Sequence, residues 1–142
     1  MKSVDTVVRS RFALPVRVYY EDTDAAGVVY YANYLRYLER ARSEWLRALG
    51  FDQAALATER GIAFAVRSLE IEFLKPARLD DMLDIACAID SLGRAQLVFE
   101  QRVERAGEAL VTATVRVACI DAVRLKAAAI PTDLLNRFEA LT

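Results

Sequence analysis

Residues 19–37 read YYEDTDAAGVVYYANYLRY, and they gather three acidic side chains, a glycine and all six tyrosines of the chain where one periodicity gives way to another. Just before and into this stretch, LPVRVYY (14–20) alternates Val16, Val18 and Tyr20 with Arg17 and Tyr19, the period-2 pattern of a strand. From about Ala32 to Leu49 the pattern changes. Tyr34, Tyr37, Leu38, Ala41, Trp45 and Leu49 fall at helical spacing, and Arg36, Arg40 and Arg47 lie off that stripe. Gly50 stands where a helix C-terminal cap is expected, and Asn33 or the residues just before it are placed to satisfy the opening N–H groups.

Working outward, Gln53–Arg60 predicts a shorter helix ended by Gly61, and most of the chain beyond that glycine reads as strands. FAVRSLEIEFLKP sets Ala65, Arg67, Leu69, Ile71 and Phe73 against Glu70 and Glu72 and stops at Pro76. Leu83, Ile85, Cys87 and Ile89 alternate next, then Ala95, Leu97, Phe99 and Val103. After a hairpin turn at Gly107 come Ala113, Val115, Val117 and Cys119. A terminal helix capped by Thr132 comes after Pro131. Strands joined mostly by short turns favour antiparallel pairing, and one long apolar-striped helix is best buried by a sheet that curls around it. The expected fold is α+β, with about five antiparallel strands wrapped around one long helix.

At 142 residues the chain fits a single domain, 1–142. Its 55% hydrophobic content is above the usual share and points to apolar surface shared with another subunit. A net charge of −1 without a basic tract argues against nucleic acid as a partner. The amino terminus has no continuous apolar core of a secretory signal, and no run is long and apolar enough for a membrane span, so the expectation is a cytoplasmic protein. Cys87 and Cys119 stand singly in alternating stretches and read as buried reduced thiols, with no metal-ligand spacing.

There is no histidine, which removes Ser-His-Asp and Cys-His nucleophile systems, HExxH zinc sites and histidine proton shuttles together. Acid or base chemistry must then come from carboxylates, Tyr, Lys, Cys or backbone dipoles. Asp22 and Asp24 are either turn formers or working carboxylates. The small residues and glycine after Asp24 let a substrate approach, and nearby tyrosines and valines offer an apolar wall that would strengthen a base. The helix start adds unpartnered N–H groups able to polarise a carbonyl oxygen. One carboxylate and one helix N-terminus suffice to attack an activated acyl group without histidine. Elsewhere, the Tyr34, Tyr37 and Trp45 stripe reads as helix core, and Glu39 either faces the site or pairs with Arg36 or Arg42.

Asp22, Asp24, Gly27, Val29, Tyr30, Tyr34, Tyr37, Glu39, Ala41 and Arg42 match D-x-D-x-x-G-x-V-[aromatic] followed by Y-x-x-Y-h-E-x-A-R. This resembles the signature of hot-dog fold acyl-CoA thioesterases of the 4-hydroxybenzoyl-CoA thioesterase type, especially the branch associated with the Tol-Pal envelope system. SLEIEFLKPARLDD resembles that family's second strand and turn, so the likeness runs over about residues 14–125. The resemblance implies hydrolysis of acyl-CoA to free acid and CoA, with no cofactor or metal. It makes Asp24 the catalytic carboxylate, Gly27 the glycine that lets the turn close, and the Tyr31 backbone N–H the group facing the thioester carbonyl. Tyr30 fills the family's aromatic position beside the substrate. Many relatives in the Tol-Pal branch carry histidine where this chain has Tyr31. The resemblance also implies a homodimer or homotetramer with sites at subunit boundaries.

Asp24 would either activate water or attack the thioester directly to give a mixed anhydride. CoA phosphates need cations, for which Arg94 and Lys126 are the candidates, each also readable as solvated surface charge. A non-catalytic acyl-CoA-binding module would keep the pocket without needing Asp24. A hot-dog dehydratase or hydratase typically relies on the histidine this chain lacks.

Overall fold

In the computed structural model, which describes residues 10–142, apolar alternation and helical stripes form the elements expected of them, with edges that differ. The amino-terminal stretch read as lacking a secretory core lies largely outside those residues. The order is β1 (Arg11–Arg17), α1 (Tyr31–Ala48), α2 (Gln53–Arg60), β2 (Ile62–Phe73), β3 (Met82–Leu92), β4 (Gln96–Arg105), β5 (Glu108–Asp121) and α3 (Thr132–Glu139). All pairings are antiparallel, in the order β1-β3-β4-β5-β2. The sheet curls around α1, whose Tyr34, Tyr37, Leu38, Ala41 and Trp45 are buried against Leu83, Ile85, Ile89, Leu97, Val103 and Val115. This is the expected hot-dog arrangement.

Three local expectations are corrected. The first strand ends at Arg17 rather than Tyr20, because residues 20–22 turn into a short 3₁₀ segment and leave Tyr20 exposed. Thr132 does not cap the last helix: Pro131 occupies the cap position without a side-chain bond, its fixed φ suiting a helix start. In β2 the partner register shifts between Val66 and Ser68, so Arg67 is an extra residue. Such a bulge reverses the facing of the strand. Ile62 and Phe64 pack inward before it, and Ile71 and Phe73 after it, so the continuous face from Ala65 to Phe73 breaks at Arg67.

Gly107 turns the β4–β5 hairpin as expected, with Ala106 at φ 50° and Gly107 at φ 84°, the left-handed pair that matches strand twist. β2 and β3 are consecutive yet do not pair, so residues 74–81 carry the chain from one side of the sheet to the other. That crossing segment supports the acidic loop. Val29 N–H donates to Ala77 O at 2.9 Å, Asp80 N–H to Val18 O at 3.0 Å, and Val18 N–H to Asp81 O at 2.9 Å. Asp81 fixes the segment in turn, accepting from Arg78 N–H and from the Arg105 guanidinium, each at 2.8 Å.

Candidate active site

Thr23 and Val29 bridge antiparallel, and the residues between them form a tight turn on the rim of the sheet. Gly27 N–H donates to Asp24 O at 3.0 Å, and Asp24 N–H to Val28 O at 2.9 Å. Gly27 has φ +78° with open space where a Cβ would stand, so backbone conformation, not crowding, requires glycine. Asp24 Oδ1 accepts the Ala26 N–H at 2.9 Å, and the carboxylate is exposed. The described residues therefore do not assemble the apolar wall expected around it.

Asp22 has a different part. Its Oδ2 accepts Tyr19 N–H at 2.8 Å, and its main-chain oxygen receives Tyr30 N–H at 2.9 Å and Asn33 Nδ2 at 2.8 Å. The loop is thereby tied to the first turn of α1. Tyr37 lies beneath, its buried hydroxyl near enough to feel the Asp22 charge but without a hydrogen bond to it. Burial first, and Asp22 second, hold that hydroxyl well above the ordinary tyrosine range.

The start of α1 has no side-chain cap and no acidic residue in its first turn. The N–H groups of Tyr31 and Ala32 are among those a helix leaves without internal partners, and they carry partial positive charge. Beside them is a cavity of about 230 Å³ lined by Val29, Tyr31, Tyr34 and Phe73. Tyr30 and Tyr31 are exposed, with ring centroids 5.0 Å apart, and Tyr31 meets Phe73 edge-on at 6.1 Å. An uncapped helix end thus borders an aromatic hollow, and an exposed carboxylate stands in the turn tied to that helix end, parts suited to acyl transfer.

Asp24 and Gly27 share one turn, and Tyr30 and Tyr31 open the helix to which Asp22 ties that turn; Arg94 and Lys126 are not brought to them. Arg94 sits in the β3–β4 turn, where its O accepts Ile130 N–H at 2.8 Å, and Lys126 O accepts Asp121 N–H at 2.7 Å just after β5. Both are exposed and lie at the end of the sheet opposite the acidic loop, which joins the Arg17–Met82 end.

A second cavity, also about 230 Å³, lies between α1, α2 and the inner face of the sheet, with Trp45, Phe64 and Phe99 in its wall and Arg42 beside them. Arg42 Nη1 donates to Gln101 Oε1 at 2.9 Å, and the buried Gln101 donates Nε2 to Leu38 O at 3.0 Å. Sequence reasoning passed over this pair. Its signal is the series Leu97, Phe99, Gln101, Val103, which puts an amide at an inward position of an apolar strand. Glu39 also lines the cavity and makes no ion pair with Arg36 or Arg42 among the described residues. Cys87 and Cys119 are buried and free, and burial pushes the Cys87 thiol up to about 12.

The model of the Thioesterase-like superfamily matches residues 18–138. The chain is 49% identical over 129 residues to "Acyl-CoA thioester hydrolase YbgC" of Escherichia coli O6:H1, covering 90% of this chain and 96% of that one. It is 46% identical over 130 residues to "Acyl-CoA thioesterase YbgC" of Haemophilus influenzae, covering 92% and 96%. The crystal structure of a probable thioesterase from Bartonella henselae superposes with a TM-score of 0.82 at 40% identity, over 86% of this chain and all (100%) of the other. With the matched span taking in the acidic loop, α1 and every strand from β2 to β5, the chain belongs to the thioesterase-like superfamily.

Proposed function

We propose that this protein hydrolyses acyl-CoA thioesters to free acid and CoA, as the names of its relatives in Escherichia coli and Haemophilus influenzae describe for those proteins. The observation that carries the reading is the exposed Asp24 carboxylate in a turn tied through Asp22 O to the uncapped start of α1, which opens beside an aromatic hollow. The thioester carbonyl oxygen rests on the Tyr31 N–H, where negative charge develops as the carbonyl becomes tetrahedral. Asp24 either takes the proton of an attacking water or adds to the carbonyl itself, in which case water then opens the mixed anhydride. CoA leaves as the thiolate in both cases. Gly27 sets the turn that presents Asp24, and Tyr30 flanks the substrate.

In this reading residues 1–142 form one thioesterase domain, and the working unit is a homodimer or homotetramer in the cytoplasm. Support for one domain is the single core shared by strands and helices from β1 to α3. Free buried Cys87 and Cys119 suit a reducing compartment, and no helix among the described residues is long and apolar enough to cross a membrane. Support for assembly comes from β2, an edge without a partner strand among the described residues, carrying exposed Val66, Leu69 and Phe73. Antiparallel pairing of β2 with its copy sets the Phe73 end of one protomer beside the Phe64 end of its partner. The hollow at Tyr31 then faces the second cavity of its partner, which supplies the apolar wall that Asp24 lacks alone. Arg94 and Lys126, remote from Asp24 in their own protomer, serve CoA phosphates bound to a neighbouring subunit.

The test is thiol release from a panel of acyl-CoAs running from short aliphatic to aromatic. Release from at least one class at enzymic rates is expected. Tight binding of acyl-CoA without release would instead favour a non-catalytic binding module, in which Asp24 is only the turn former that its bond to Ala26 N–H describes.

A further inference from the structure

Arg42 stands in the Trp45-lined cavity as a cation without an acidic partner among the described residues. Its neighbours are Trp45 and Phe99 in the wall and the neutral Gln101 amide, and no carboxylate among the described residues lies within 4.0 Å of it. Glu39, one helical turn earlier, lines the same cavity with an exposed side chain too far to pair, although its charge reaches the guanidinium. Burial draws the Arg42 pKa below its ordinary value, yet a guanidinium remains charged in any protein. A partly buried, unpaired charge is costly and is relieved by an anion. Gln101 meanwhile spends both ends of its amide holding Arg42 and the Leu38 carbonyl, so the guanidinium is fixed rather than free to swing into solvent.

We propose that this cavity receives the far end of the acyl group and selects chains that carry a carboxylate there, with Arg42 as the residue that sets the preference. The proposal rests on the thioesterase reading and names its substrate class. The cavity of about 230 Å³ has room for roughly eight groups at ~30 Å³ each, the share of a water molecule, so a medium-length chain fits. Leu46, Phe64, Val117 and Phe138 contact the methylenes, and the planar fork of Arg42 meets a carboxylate with two parallel N–H···O bonds. A methyl-ended chain would cover the guanidinium without neutralising it, so rejection of the wrong chain contributes as much as attraction of the right one.

Trp45 is the only tryptophan in the chain and lines this cavity, which gives a direct readout on the full-length protein. Monomethyl suberate, with one free carboxylate, should quench its fluorescence saturably and bind at least about tenfold tighter than dimethyl suberate. In Arg42→Gln that preference should vanish while the melting temperature shows the protein folded. Equal binding of the two esters, saturable binding of neither, or a preference that survives Arg42→Gln would overturn the proposal. The wild-type comparison needs no variant, so it decides even where Arg42→Gln fails to fold. In turnover, suberyl-CoA should exceed octanoyl-CoA in kcat/KM by about tenfold, and octanoyl-CoA hydrolysed equally well would also overturn it. Carboxylate-selective ester binding with no thiol release from any acyl-CoA would support the carboxylate chamber and strike the thioesterase reading alone.

Discussion

The side-chain amide of Asn33 donates to the main-chain oxygen of Asp22 at 2.8 Å, and that same oxygen receives the Tyr30 N–H at 2.9 Å. Two residues beyond Asp22 lies Asp24, and two before Asn33 lies Tyr31, so this contact holds the carboxylate and the helix start in one frame. Asn33→Ala should lower kcat about tenfold with KM little changed, since a small misplacement of reacting groups acts on the transition state more than on binding. Steady-state kinetics well below the melting temperature check this. A loss of stability of about 1 kcal/mol with kcat intact would make the contact structural only.

Asp24→Asn keeps the size of the side chain and removes its charge, so kcat should fall on the order of 10²–10⁴-fold while acyl-CoA still binds. Asp22→Asn retains an oxygen for the Tyr19 N–H and should cost about 1 kcal/mol or less, with activity largely kept. Parallel assays of the two variants decide which carboxylate works. A reversed outcome would move the role to Asp22.

Acid should loosen the crossing segment that supports the loop. Burial alone would raise the Asp81 pKa, but the Arg78 N–H and the Arg105 guanidinium outweigh it and hold the carboxyl below its usual range. A carboxyl depressed in the folded state contributes stability that is present above its unfolded pKa, near 4, and is lost as pH falls through the folded value. Asp81→Asn should therefore be less stable than wild type by about 1–2 kcal/mol at pH 7, with the gap closing below about pH 4. Urea midpoints across that range would show it. A gap independent of pH would mean the charge of Asp81 is not what matters.

A β2 edge unpaired among the described residues, with exposed Leu69 and Phe73, should make the chain at least a dimer, so sedimentation at micromolar concentration should exceed the 15.9 kDa of one chain. Leu69→Lys places a charge on that edge and should shift the mass toward monomer, with activity falling in step. Activity retained by a monomer would mean that one protomer holds the whole site.

Lys126→Ala and Arg94→Ala should raise KM far more than they lower kcat, because contacts to CoA phosphates bind ground and transition states alike. The effect should weaken with added salt, as surface contacts are screened over a Debye length of about 8 Å at physiological ionic strength. Both cations lie far from Asp24 within one protomer, so a raised KM would report a neighbouring subunit. An unchanged KM in both variants would assign the phosphates to other residues.

Features that depend on near neighbours along the chain are readable from residue spacing alone. The spacing of Tyr34, Tyr37, Leu38, Ala41 and Trp45 marks the buried stripe of α1, since a helix returns to one face every 3.6 residues whatever covers it. Gly27 and Gly107 mark turns because left-handed backbone suits few other residues. The motif around Asp24 is local in the same way, its parts lying in one loop and the first turn of one helix. Only the tertiary structure decided the reversal of β2 at Arg67, the pairing of Arg42 with Gln101 across 59 residues, and the separation of Arg94 and Lys126 from Asp24. Register, chambers and the distance between two loops are set by strand order and sheet curl, which periodicity does not encode, because it records which face a residue turns inward and not what meets that face there.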